Sequence, residues 1–195
     1  MILKTIKRVA WVRRGLSSIL DTWIQNKVLK FSGFLTPNSR ILDLGSGNCL
    51  IADHLMNNGF QVVPIDIKDL SIVERIKPMI YDGTTLPFET DTFDTVLLLT
   101  VLHHSDDPIQ LISEAKRVAK NVVIIEDTYN HVVQKLATQF VDFIINFGHS
   151  KMTYQNKTEA DWEDIFSDYD LEVVSKQRKP ILLFFQQTTY FLKKV

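Results

Sequence analysis

The sequence predicts a doubly wound α/β domain: a seven-stranded, mostly parallel sheet with an antiparallel edge strand and helices on both faces. Three observations carry this. From Arg40 to Asp127, five short apolar runs alternate with amphipathic stretches, and strands that are apolar throughout are those covered on both sides. The last two strands have only a loop between them, so they pair antiparallel at one edge. The 195 residues, 45% hydrophobic and 23% charged, suffice for one domain with a full core, and no internal repeat or low-complexity linker divides them.

Residues 2–30 read as one or two amphipathic helices, with Ile2, Ile6, Val9, Leu16, Leu20 and Trp23 at helical spacing and a break at Gly15. Strand one is "RILDL" (40–44). A helix over 47–58 follows, burying Leu50, Ile51 and Leu55 and ending at Gly59. Strand two covers 60–67, a short helix 69–76, and strand three 78–82. Strand four lies within 93–104 and is wholly apolar from Val96 to Leu99. Asp107 and Pro108 open the next helix as N-cap acid and first-turn proline, with Leu111, Ile112, Ala115, Val118 and Ala119 as its buried stripe. Strand five is "NVVIIED" (121–127). A strongly apolar helix is expected over 129–147, where Phe140, Phe143 and Phe147 add to a heptad-like stripe, followed by a loop carrying His149 and Tyr154. Thr158 caps a helix carrying Trp162, Ile165 and Phe166. Strands over 171–178 and 186–195, separated by Pro180, close the chain.

The single cysteine, Cys49, excludes an intrachain disulfide and a cysteine-rich zinc site; no metal is expected, and a reducing cytoplasm suits such a chain. No apolar run reaches the length of a membrane span, and the N-terminus lacks the apolar stretch of a signal peptide. The net charge of −1 hides an asymmetry, because residues 1–40 carry +7 and the remainder −8. The chain divides accordingly into a basic helical cap, 1–38, and the α/β domain, 39–195. A basic amphipathic helix suits an anionic membrane surface. Nucleic acid is not an expected partner, since no basic stripe with interleaved aromatics continues into the domain.

Ligands of such sheets bind beyond the carboxyl ends of the strands, near the point where strand order reverses. After strand one comes Asp43-Leu-Gly45-Ser-Gly47, where glycine permits a tight turn and close approach, and the amides at the next helix start favour an anionic group. Strand two ends in Asp66, an acid suited to accept from both ribose hydroxyls. Strand three ends in Asp82-Gly83, where a carboxylate can accept from the exocyclic amine of adenine, with Leu86 and Phe88 as walls for the ring. Singly, each has a plain reading as a turn or a solvated acid. In order, each after its own strand, they are a stronger signal together and point to a ribose and an adenine.

The segments "ILDLGSGN", "PIDI", "YDGTTLPFETDTFDTVLLLTVLHHSDDP" and "VVIIED" resemble the successive motifs of class I S-adenosylmethionine-dependent methyltransferases, in the small-molecule branch of the ubiquinone/menaquinone-biosynthesis type. The resemblance covers roughly 38–127 by motif and implies a Rossmann-like fold with S-adenosyl-L-methionine as cofactor. It implies that Asp43, Gly45 and Gly47 line the methionine moiety, Asp66 the ribose, Asp82 and Gly83 the adenine, and that Thr100 lies beside the methionine part. For an N-terminal helix it implies a cap on the ligand pocket, the role favoured here over the membrane surface. Cys49 stands where the pattern usually has a third glycine; a thiol packed at the helix start accounts for it better than a reactive one. Leu50 occupies the third-glycine position of the dinucleotide fingerprint, which argues against a nicotinamide-dependent oxidoreductase. His104, and after it His103, follow strand four and are the candidates for acid/base or orienting work on a small-molecule acceptor. The other class left open is a non-catalytic nucleoside-binding or scaffold protein on the same fold.

Overall fold

The computed structural model describes residues 20–129, 157–182 and 185–195. Its sheet contains β1 (Arg40–Leu44), β2 (Gln61–Asp66), β3 (Met79–Ile80), β4 (Phe93–Leu99), β5 (Ala119–Thr128), β6 (Leu171–Leu182) and β7 (Phe185–Lys194), in the order β3-β2-β1-β4-β5-β7-β6. The first five strands run parallel, and β7 runs antiparallel to both β5 and β6. Strand order reverses between β1 and β4. The crevice above their carboxyl ends is the place where this architecture seats ligands.

Strand residues alternate between two cores. Leu42, Val96, Leu98, Val122, Ile124, Tyr190 and Leu192 face one side, with α3 (Pro108–Val118) and α4 (Glu159–Asp168) laid over them. Ile41, Leu97, Leu99, Val123, Ile125 and Phe191 face the other, beneath α1 (20–28) and α2 (Leu50–Asn57). Ile24, Val28, Phe31 and Leu35 belong to this second core, so the described part of the basic N-terminal segment packs on the sheet itself. Asp107 accepts from the Gln110 N–H at 2.9 Å with Pro108 in the first turn of α3, and Thr158 with Asp161 forms a reciprocal capping box at α4.

Four local expectations are corrected. Residues 69–76 are not helical: Asp69 accepts from Ser71 N–H at 3.1 Å, Ser71 Oγ accepts from Val73 N–H at 3.2 Å, and Ile72 N–H donates to Asn48 O at 3.2 Å. Such local bonds offer the backbone an alternative to a helix. Pro180 does not separate the last strands but lies inside β6, paired with Gln186; β6 is the sheet edge, where a missing N–H costs no ladder bond. The third strand shrinks to Met79–Ile80. Leu86 and Phe88 turn into the first core, Phe88 edge-on to Phe93 at 4.9 Å between ring centres, rather than walling a ring pocket. Their loop is pinned by Arg117, which donates to Phe88 O at 2.6 Å and Leu86 O at 3.0 Å, and by Glu114, which accepts from Leu86 N–H at 2.7 Å. The expected helix over 129–147, His149 and Tyr154 lie outside the described residues.

Candidate active site

The loop after β1 is held by its neighbour strand. Gly45 N–H and Ser46 N–H both donate to Ile65 O, at 2.9 and 3.1 Å, and Gly47 N–H donates to the Asp66 carboxylate at 2.8 Å. The two glycines serve different ends. Gly45 (φ +76) is closed over by Val101, whose methyl groups lie 2.6 and 2.8 Å from where a Cβ would stand, so its missing side chain seats the loop after β4. A Cβ at Gly47 (φ +51) would meet nothing closer than 4.0 Å, which leaves that side open for a ligand. Position 49 has φ +60 as well. A left-handed residue immediately before α2 explains why glycine is expected there; Cys49 adopts it with its thiol buried, 3.6 Å from Ser46 Oγ. Burial pushes that thiol upward, so it is a packed group and not an activated nucleophile. Helix α2 accordingly begins at Leu50, three residues later than the sequence suggests.

Asp43 lies at the floor. It is 3% exposed, and its Oδ2 has no hydrogen-bond partner. Burial pushes its carboxyl up to about 7; the charge of Lys27 opposes this and that of Asp66 adds to it. Lys27 arrives from α1 across 72 residues of sequence. Its ammonium donates to Leu99 O at 3.4 Å and Thr100 Oγ1 at 3.1 Å, and burial pushes its pKa down while Asp127, Asp43 and Glu126 pull it back. Thr100 itself has φ +65, uncommon for a β-branched residue and worth on the order of 1–3 kcal/mol in strain. Three contacts hold it there: its N–H to Ile125 O at 2.7 Å, its hydroxyl to Leu99 O, and Lys27.

Asp66 spends one oxygen on Gly47 and the other on Ile67 N–H (2.7 Å) and Lys68 N–H (3.3 Å). It therefore shapes the glycine loop as well as ending β2. Asp82 is exposed at the rim, where the N–H groups of Thr84 and Thr85 donate to its Oδ1 at 2.8 and 3.1 Å and hold its pKa below the usual carboxylate range. Gly83 beside it has φ +85. The structure thus brings Asp43, Gly45, Gly47 and Asp66 into one cluster, links Thr100 to it through Lys27, and leaves Asp82 and Gly83 one strand further out.

The two histidines follow β4 on a 3-10 turn, Leu102–His104. His103 is buried, with Nδ1 2.5 Å from the Glu126 carboxylate, whose other oxygen accepts from Leu102 N–H at 2.8 Å. His104 stacks at a tilt on His103, 4.0 Å between ring centres, and is half-buried. Burial, reinforced by His103, pushes His104 down to about 4, so it is neutral at pH 7.

Residues 42–125 match the model of a methyltransferase domain. The chain resembles the ubiquinone biosynthesis O-methyltransferase of Hahella chejuensis, 32% identical over 95 residues, which is 43% of this chain and 40% of that protein. It therefore spans about two fifths of that relative's length. In fold it superposes on a SAM-dependent methyltransferase of Methanosarcina mazei with TM-score 0.66 and 20% identity, over 85% of this chain and 97% of that one. It also superposes on the magnesium protoporphyrin IX methyltransferase of Synechocystis, solved with bound SAH, with TM-score 0.64 and 15% identity, over 96% and 89%. Residues 42–125 thus match a methyltransferase domain, and the chain has the fold of the SAM-dependent methyltransferases.

Beside the strand ends, the polar residues that the sequence did not single out are Lys27, Lys30, Glu126, Asp127 and Gln187. Lys30 donates to Gln187 Oε1, and Gln187 donates to Asp127 at 2.7 Å, extending the polar floor from β5 to β7. Glu126 and Asp127 had a signal, two acids ending an apolar strand at the ligand side. The lysines and Gln187 had none, because only the tertiary fold brings them to the strand ends.

Proposed function

We propose that the chain is a methyltransferase that takes its methyl group from S-adenosylmethionine and passes it to a small organic acceptor. Asp43 carries this reading: a carboxylate buried at the end of β1, one oxygen without a partner, beside a glycine loop open at Gly47. A buried polar group left unpaired is costly and persists where a ligand completes it. The amino-acid end of such a donor brings the ammonium that Asp43 lacks. The other residues fit the same molecule: Gly45 and Gly47 with Thr100 for its methionine part, Asp66 for the ribose, Asp82 and Gly83 for the adenine. Bound there, the donor supplies an electrophilic methyl on a good neutral leaving group.

The protein's own contribution is position. Holding nucleophile, methyl and leaving atom in line is worth up to about 7–11 kcal/mol. His104, neutral at pH 7, can accept a proton from an acceptor that must lose one, and we assign it that role. His103, fixed by Glu126, is a positioning residue that holds the turn and the adjacent ring. The reach of Lys27 and Lys30 over the strand ends supports residues 1–38 as a cap on this pocket in preference to a membrane arm, and the single buried thiol fits the cytoplasm we propose for the chain.

Calorimetry on the full chain with S-adenosylmethionine, S-adenosylhomocysteine and NAD tests the reading: the first two bind and NAD does not. Binding of NAD alone sinks it. Once an acceptor is in hand, His104→Ala lowers kcat by roughly 10²–10⁴-fold with donor affinity unchanged. Unaltered turnover removes His104 from the mechanism.

A further inference from the structure

We propose that Glu126 and His103 form a buried ion pair at pH 7, and that this pair keeps His104 a free base; its use in methyl transfer rests on the reading above. Glu126, near the end of β5, is wholly buried. Both its oxygens are spent on one turn. Oε1 accepts from Leu102 N–H at 2.8 Å, and Oε2 lies 2.5 Å from His103 Nδ1. A proton must sit between that nitrogen and that oxygen. The Leu102 amide bonds to the charged form of Glu126, which keeps the acid a carboxylate and leaves the proton on His103. The ammonium of Lys27, which feels the charge of Glu126, acts the same way. A carboxylate at hydrogen-bond distance in turn favours the charged ring, with hydrogen on both nitrogens of His103.

The charged ring lies against His104, 4.0 Å between centres and tilted by 48°. A proton added to His104 would set two like charges that close within one turn, so the first proton excludes the second. Burial of His104 works in the same direction, and the carboxylate of Glu126 opposes it to a smaller extent. Among the described residues, the charged groups that bear on His104 are therefore His103 from its own turn and Glu126 from β5, while Lys27 from α1 bears on Glu126. Two adjacent histidines are thus held in opposite charge states by their surroundings. A ring kept free of its proton presents a lone pair, which can accept from a hydroxyl whose oxygen is to take the methyl group. Glu126 is a positioning residue: its charge decides the state of His104 through His103.

Nitrogen and carbon NMR of the histidine rings tests this on the full-length chain, with neither donor nor acceptor added. In the unmodified protein both ring nitrogens of His103 are protonated at pH 7, while His104 is neutral and titrates at about 4. Glu126→Gln keeps the shape and can still accept from Leu102 N–H, but it removes the charge. His103 then becomes neutral, and the midpoint of His104 rises from about 4 toward the ordinary 6.5. His103→Gln raises that midpoint as well, whereas Glu126→Asp, which keeps the charge, stays nearer to the unmodified protein. An unprotonated ring nitrogen on His103 at pH 7 in the unmodified protein overturns the ion pair, and this measurement needs no variant to fold. A His104 midpoint that stays put or falls in folded E126Q confines Glu126 to holding the turn and overturns the proposal. Neither result touches the methyl-donor reading, which stands or falls on donor binding.

Discussion

Single residues at the strand ends carry costs that the rest of the fold covers. Cys49 is the plainest case. It sits at φ +60 with its thiol buried, so it combines a backbone suited to glycine with a side chain that packs. The left-handed conformation costs a non-glycine residue roughly 1–2 kcal/mol. Cutting the side chain back to a methyl group keeps that strain and loses contacts; cutting it back to hydrogen loses more contacts and relieves the strain. Cys49→Gly is therefore expected to be more stable than Cys49→Ala by about 1 kcal/mol, although it removes more atoms. Urea denaturation of the two variants decides this, and a more stable alanine variant would show that packing, not backbone strain, governs the position. Gly45 differs in kind. Its hydrogen makes room for Val101, so any side chain there displaces the loop that carries Thr100 and the histidine turn.

At the level of elements, the N-terminal segment behaves as part of the sheet's covering layer. Ile24, Val28, Phe31 and Leu35 lie in the core with Ile41, Leu97 and Ile125, and burying four such side chains contributes about 6–12 kcal/mol. That is comparable to the whole stability of an ordinary domain, about 5–15 kcal/mol. Deleting residues 1–35 is expected to abolish cooperative unfolding followed by circular dichroism, whereas deleting 1–19 leaves these four residues in place and a cooperative transition intact. A folded 36–195 fragment would contradict this account. The periodicity of residues 2–30 announced an amphipathic helix, but which surface it covers is not written locally. The strands were legible because apolar runs bounded by turns have few other uses, and the caps at Asp107 and Thr158 because their chemistry is local. The segment 69–76 misled because its side chains bond their own backbone, a competition that spacing of apolar residues does not reveal. Pro180 misled because a proline's tolerance depends on whether its strand is an edge, which only the complete sheet order decides. Of the candidate site residues, Asp43, Gly45, Gly47, Asp66, Asp82 and Gly83 are singled out by position after a strand and Thr100 by the family resemblance, and all of them lie at strand ends in the structure. Lys27 could not be, since its partners lie 72 and 73 residues away.

Across the whole molecule, acids gather at the carboxyl end of the sheet, and the fold gives up stability to keep one of them there. Asp43 is raised to about 7, by burial first and by the charge of Asp66, against an ordinary value of 3.8. Its folded pKa exceeds its unfolded one, so below about pH 4 both states hold the proton and the group is neutral in its effect on stability. Between about pH 4 and 7 the unfolded chain releases the proton while the folded chain retains it, and the fold loses about 1.4 kcal/mol per pH unit from this source. Above about 7 both states are ionised and the loss levels off at a few kcal/mol. Asp43→Asn removes the effect. The variant and the unmodified protein should be equally stable near pH 4, and the variant should gain a few kcal/mol over it by pH 8, measured from urea midpoints at each pH. A difference that does not change with pH would mean that Asp43 titrates as an ordinary surface acid. Donor binding has the opposite dependence. An ammonium is held by the ionised carboxylate, so the stabilisation by saturating S-adenosylhomocysteine should grow from pH 5.5 to 7.5 in the unmodified protein and be largely lost in D43N. The two measurements together separate a carboxylate that is merely buried from one whose burial is offset by its ligand. Only the second gives a variant that is more stable and no longer binds.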